Sequence, residues 1–209
     1  RPEARVTQRE PLRPVAYDEQ ADAVRLLDQR LLPEREEWLS LDSPEKITGA
    51  IRSLAVRGAP AIGVAAAYAL ALASRRGANA GRLREVADML VKARPTAVNL
   101  GWAVRRMLRR AGLGGNEMLA EAHAIREEDE AGCRRIGELG APLLPPEARV
   151  FTHCNAGALA TAGYGTALGI VRAAPEAGNG ARVVAGETRG LPIFSWDGGR
   201  YANWVKIAP

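Results

Sequence analysis

The chain has 209 residues and a mass of 22.3 kDa, of which 47% are hydrophobic and 25% charged. These ordinary globular proportions exclude a disordered chain and allow one substantial domain or two small ones. The net charge is +5 and rests on arginine, since only Lys46, Lys92 and Lys206 are lysines among 29 basic residues. The longest apolar and small run, Ala61 to Ala73, is too short to span a bilayer, and the polar start Arg-Pro-Glu-Ala-Arg lacks a secretory apolar stretch. Two cysteines, Cys133 and Cys154, cannot build a disulfide framework. The expectation is a reduced, cytoplasmic protein with no membrane partner.

The first forty residues read as extended. Leu12 to Tyr17 and Val24 to Asp28 flank the polar segment Asp18 to Asp22 as a hairpin, and a third short strand falls at Glu37 to Leu41. Ser43 and Pro44 then signal a helix start, with Ile47, Ala50, Ile51 and Leu54 on one apolar face. Ala61 to Arg75 is apolar nearly all round, the pattern of a buried helix, and Gly77 ends it. Leu83, Val86, Ala87 and Leu90 mark a helix that stops before Pro95, and Thr96 is placed to cap the next. That next helix carries Arg105, Arg106, Arg109 and Arg110, which read as a solvated face. No aromatic interleaving supports a nucleic-acid partner there. A long helix from about Asn116 to Gly140 presents Leu119, Ala122, Ile125, Cys133, Ile136 and Leu139, with the acidic run Glu127 to Glu130 on its outer face.

Pro142, Pro145 and Pro146 form a linker, after which the pattern changes. Arg149 to Cys154 reads as a strand, the small residues from Asn155 lead into a helix ending near Ala174, and Arg182 to Glu187 reads as a second strand. Strand, helix, strand implies a parallel pair. The fold class is thus α/β, a small N-terminal β-sheet plus helical domain over 1–145, followed over 146–209 by an incomplete Rossmann-like parallel-sheet domain. The last twenty residues, Gly190 to Pro209, show neither a clear helix nor a long strand.

Three segments suit a ligand. Arg57-Gly58-Ala59 precedes the buried helix, and a helix start offers free N–H groups to phosphate while Arg57 adds a fork. A tight turn with a surface arginine explains the spacing equally well. Arg94 stands at another helix start, where an incidental charge is the plainer account. Cys154 ends the first parallel strand, the edge where open α/β sheets bind ligands, and is either a proton shuttle or nucleophile activated by a following helix start, or a buried structural cysteine. His153 and Cys133 read as structural. Gly163 to Gly169 is one residue too long for the dinucleotide fingerprint and falls inside the helix, no phosphate-loop sequence occurs, and no His/Cys spacing suits a metal. A reaction without cofactor or metal, or a binding role, fits these residues best.

The segments Leu27 to Pro33, Val56 to Ala73, Ala93 to Met107, Glu127 to Ala141 and Thr152 to Ala174 together resemble the methylthioribose-1-phosphate isomerase family of methionine salvage. The resemblance covers about residues 12 to 189. It implies an aldose–ketose isomerisation of 5-methylthioribose 1-phosphate, with Arg57, Gly58, Ala59 and Arg94 binding the phosphosugar, Cys154 catalytic, and a homodimeric assembly. It further implies an aspartate in a Gly-Ala-Asp-Arg-Ile motif, a glutamine and an Asn-Lys pair. None has a counterpart after Arg189, so the C-terminal part reads as missing or altered. The same resemblance admits two alternatives: a non-catalytic regulatory relative in the translation-initiation exchange factor, and ribose-1,5-bisphosphate isomerase.

Overall fold

The computed structural model describes residues 12–175, 181–186, 193–196 and 201–205. Strands β1 (Val15–Asp18), β2 (Ala23–Leu27) and β3 (Trp38–Leu41) form an antiparallel sheet in that order. Val15 faces Leu26 and Val24 faces Leu41, so one face is apolar and packs on the helices. The hairpin and third strand therefore fall within a few residues of the expected ranges, on either side of the polar segment Asp18 to Asp22.

Five helices follow: α1 (Pro44–Arg52), α2 (Ala59–Arg75), α3 (Ala80–Ala93), α4 (Val98–Leu108) and α5 (Gly115–Gly140). Ser43 caps α1 by accepting from Lys46 N at 3.2 Å, as its side chain and Pro44 suggest. Helix α2 is the central element; every residue from Ala61 to Ala73 is buried. Its small side chains let neighbours approach closely, and α1, α3, α4 and α5 all pack on it. A Cβ on Gly63 would lie 3.1 Å from the Asn99 carbonyl oxygen, which shows how near α4 runs. Gly77 follows α2 with φ 83°, the left-handed stop that glycine allows.

Several expectations are corrected. Ala97, not Thr96, is the N-cap of α4, and no side chain bonds there. In α5, Ile136 and Leu139 are 43% and 57% exposed because the core contacts lie on the Cys133 and Gly137 side. The acidic run splits. Glu127 and Glu128 face solvent, while Asp129 turns inward and accepts from Ala162 N at 2.7 Å. Arg105, Arg109 and Arg110 are exposed, as a solvated face requires, and only Arg106 is partly buried. Arg106 bonds Glu121 and Glu128, and Arg110 bonds Glu121 at 2.8 Å, so these side chains clasp α4 to α5.

Strand β4 (Ala148–His153) pairs in parallel with β5 (Ala181–Gly186), and α6 (Ala167–Ala173) lies between them in sequence and packs on both. The helix expected from Asn155 is much shorter, because Ala156 to Thr166 forms a loop with one 3-10 turn, Ala158–Ala160. Gly163 and Gly165 lie in that loop at φ 154° and 95°, not inside a helix. Within the tail, β6 (Ile193–Trp196) and β7 (Tyr201–Val205) add two antiparallel strands, in the order β4-β5-β6-β7. Each run is only four or five residues long, too short for a pattern to register in the sequence. No helix among the described residues is long and apolar enough to cross a membrane.

Candidate functional site

Arg57 and Gly58 sit where the chain enters α2. Gly58 is the N-cap at φ 102°, a conformation that L side chains rarely adopt, and it makes no side-chain cap. A 17-residue helix thus starts with its first backbone donors uncapped by any side chain and its positive end at Arg57 and the exposed Ala59. Arg57 is half-buried. Its Nη2 donates to the Gln29 carbonyl at 3.4 Å, and its buried Nε has no hydrogen-bond partner.

Arg94 closes α3, and its carbonyl accepts from Ala97 N at 3.0 Å in the turn that launches α4. Its Nη1 is also buried without a partner. Among the described residues neither arginine forms an ion pair, whereas many surface arginines of this chain do. Because Asn99 in the first turn of α4 lies against Gly63 in the second turn of α2, the two helix starts are neighbours.

Cys154 follows β4 directly. It is exposed, and its φ of 69° places a non-glycine residue in the left-handed region, turning the chain sharply off the strand end. The helix start expected to activate it is not adjacent, since α6 begins at Ala167. The following loop is instead held by side chains. Buried Thr161 accepts from Gly165 N at 3.0 Å and Gly163 N at 3.3 Å. Asp129 holds Ala162 from α5, and burial pushes its carboxyl above the usual range. Cys133 is buried behind the loop, and burial raises its thiol in the same way. His153 is exposed.

This loop meets the α2 start directly. A Cβ on Gly58 would lie 2.6 Å from both the Ala160 carbonyl oxygen and its Cβ, so only a glycine allows the approach. Gln29, at the end of β2, donates from Nε2 to the Leu159 carbonyl at 2.8 Å. Beside it opens a cavity of about 220 Å³ lined by Leu27, Leu32, Pro33, Glu36, Asn155 and Leu159, among others. Guanidinium groups with unused donors at two helix starts favour an anion such as a phosphate, and the neighbouring cavity is mainly aliphatic. Among the described residues no cluster of His, Cys, Asp and Glu has the makings of a metal site. Arg57, Gly58 and the loop after Cys154 are brought together, and Arg94 is brought near through α4. Gln29, Asp129 and Thr161 escape a reading of the sequence because ordinary polar residues in a strand end, an acidic helix and a loop carry no motif by themselves.

A family described as the initiation factor 2 subunit family matches residues 55–195. Methylthioribose-1-phosphate isomerase of Anaeromyxobacter dehalogenans is 65% identical over 92% of this chain and 58% of its own length. The enzyme of that name from Desulforamulus reducens is 48% identical over 88% of this chain and 56% of its own. The chain therefore spans a little under three fifths of these curated relatives. Among solved structures, translation initiation factor eIF-2B subunit delta from A. fulgidus superposes with a TM-score of 0.74 at 42% identity, covering 83% of this chain and 54% of that one. 5-Methylthioribose 1-phosphate isomerase from Pyrococcus horikoshii OT3 does so with a TM-score of 0.70 at 34% identity, covering 85% and 54%.

Proposed function

The chain belongs to the initiation factor 2 subunit family, and from that premise we propose that it acts in the isomerisation of 5-methylthioribose 1-phosphate to 5-methylthioribulose 1-phosphate. The observation that carries the reading is the pair of arginines, Arg57 and Arg94, with buried unpartnered guanidinium nitrogens at neighbouring helix starts. Two such groups, Arg57 beside the Cys154 loop and Arg94 at the neighbouring helix start, suit a dianionic phosphosugar, and the relatives at 65% and 48% identity carry the isomerase name.

The reaction is redox-neutral overall. A hydrogen leaves C2 and one arrives at C1, the C2 hydroxyl becomes the carbonyl, and the ring oxygen takes a proton as the ring opens. In this reading Arg57 and the N–H groups at Gly58 and Ala59 hold the substrate with Arg94, and Cys154 steadies the transition state or relays the proton. We further propose that residues 1–145 form one domain, that 146–209 begins a Rossmann-like one, and that the protein works as a cytoplasmic homodimer.

A second reading, a binding subunit of a translation-initiation exchange factor, is favoured by the likeness to the A. fulgidus structure. Turnover separates the two. Purified protein should isomerise 5-methylthioribose 1-phosphate, and Cys154→Ser should lower kcat by about a hundredfold or more while KM changes little, because its role belongs to the transition state. Arg94→Ala should chiefly raise KM, by about 10- to 100-fold, the worth of a charged hydrogen bond. Phosphosugar binding without turnover would favour the second reading.

A further inference from the structure

Gln29 is the residue through which the two candidate loops are joined, and the reaction scheme above gives it no part. It is 1% exposed. Its backbone N–H donates to the Ala55 carbonyl at 2.9 Å, and its carbonyl accepts from Arg57 Nη2 at 3.4 Å. Its side-chain amide donates to the Leu159 carbonyl at 2.8 Å. One side of Gln29 therefore holds the segment that leads into α2, and the other holds the 3-10 turn Ala158–Ala160. Gly58 pressed against Ala160 closes the same junction.

The remaining polar atom, Gln29 Oε1, is buried and unpartnered, as is Arg57 Nε. An aliphatic side chain of similar volume would fill this space and remove the unsatisfied Oε1, at the cost of the donor to the Leu159 carbonyl. Packing alone thus gives no reason for an amide here; its bond to Leu159 does. We propose that Gln29 is a positioning residue whose side-chain amide fixes the loop that follows Cys154 relative to Arg57. Its bearing on catalysis rests on the isomerase reading, while its hold on the loop does not.

The test uses the 209-residue chain and two variants, Gln29→Leu and Gln29→Met, whose folding is checked by circular dichroism. Hydrogen–deuterium exchange is read by mass spectrometry over residues 158–166 and, as an internal reference, over Ile62–Ala73. In a folded variant, exchange across 158–166 should quicken about tenfold with the reference unchanged, the consequence of losing one buried hydrogen bond. Turnover is measured alongside, with Cys154→Ser as the second arm of a double-mutant cycle. Gln29→Leu should lower kcat more than it raises KM, and its effect should largely vanish in the Cys154→Ser background.

Unchanged exchange at 158–166 in a folded variant overturns the proposal whatever the activity. Faster exchange with additive effects on kcat overturns the catalytic part and leaves Gln29 a structural clip. Failure of both variants to fold also overturns it, because a positioning role requires the rest of the chain to stand without the bond. If the unsubstituted chain shows no turnover, the isomerase reading fails and exchange alone decides whether Gln29 holds the loop.

Discussion

At Gly58 the backbone runs at φ 102° and ψ 132° while Ala160 presses on its α-carbon, so both conformation and space demand a residue without a side chain. Gly58→Ala should cost about 1–3 kcal/mol for the strained backbone and about 1–3 kcal/mol for overpacking. It should also push the 3-10 turn away from Arg57. Denaturant unfolding checks the first effect and phosphosugar affinity the second; a variant with the parent's midpoint and affinity would reject the close approach as a constraint. At Cys154 the same scale shows a different economy. A residue with an ordinary side chain occupies the left-handed region immediately after a strand, and strain of that kind collects at functional positions. The thiol is thereby set on the outside of a sharp turn, where it is exposed, while Cys133 is packed away.

Among elements, α2 owes its stability to burial on all sides, whereas α4 and α5 meet through charge. Glu121 accepts from Arg106 Nε at 2.5 Å and Arg110 Nε at 2.8 Å, and its side chain is only 11% exposed. The hydrogen bond from Arg106 holds its carboxyl below the ordinary glutamate value. A carboxylate lowered on folding adds stability that is present above its unfolded pKa and lost as pH falls through the folded one. Glu121→Gln should therefore be less stable than the parent at neutral pH by about 1–3 kcal/mol. The gap should close as pH drops below about 4.5. Thermal unfolding across that range measures it; parallel curves for the two proteins would remove Glu121 from the acid response.

Across the whole molecule the N-terminal sheet and strand β4 are covered unequally. The N-terminal sheet has a buried apolar face, but β4 shows one face outward, with Phe151 72% exposed between the exposed Arg149 and His153. Parallel sheets are usually covered on both faces, and Phe151 lies uncovered on this one. The chain should therefore self-associate with rising concentration, and Phe151→Lys should weaken that association. Sedimentation velocity on both proteins checks it, and identical concentration dependence would show that β4 takes no part.

The helices and the N-terminal hairpin were legible in the residues because their signals are local: Ser43-Pro44 before α1, the unbroken apolar stretch of α2, Gly77 after it, and the polar segment between β1 and β2. Arg57, Gly58, Ala59, Arg94 and Cys154 could be singled out because they stand at helix starts and a strand end, which chain order alone reveals. Other features depended on which distant residues met. The inward turn of Asp129 follows from α5 packing against the loop at Ala162, and the exposure of Ile136 and Leu139 from which side of that long helix finds a neighbour. The short α6 follows from Gly163 and Gly165 taking positive φ around Thr161, a loop that small residues disguise as helix. Gln29 is the clearest case. Nothing in its neighbours along the chain distinguishes it, and its character as a link comes wholly from Leu159 and Arg57, brought to it by packing across 130 and 28 positions of sequence.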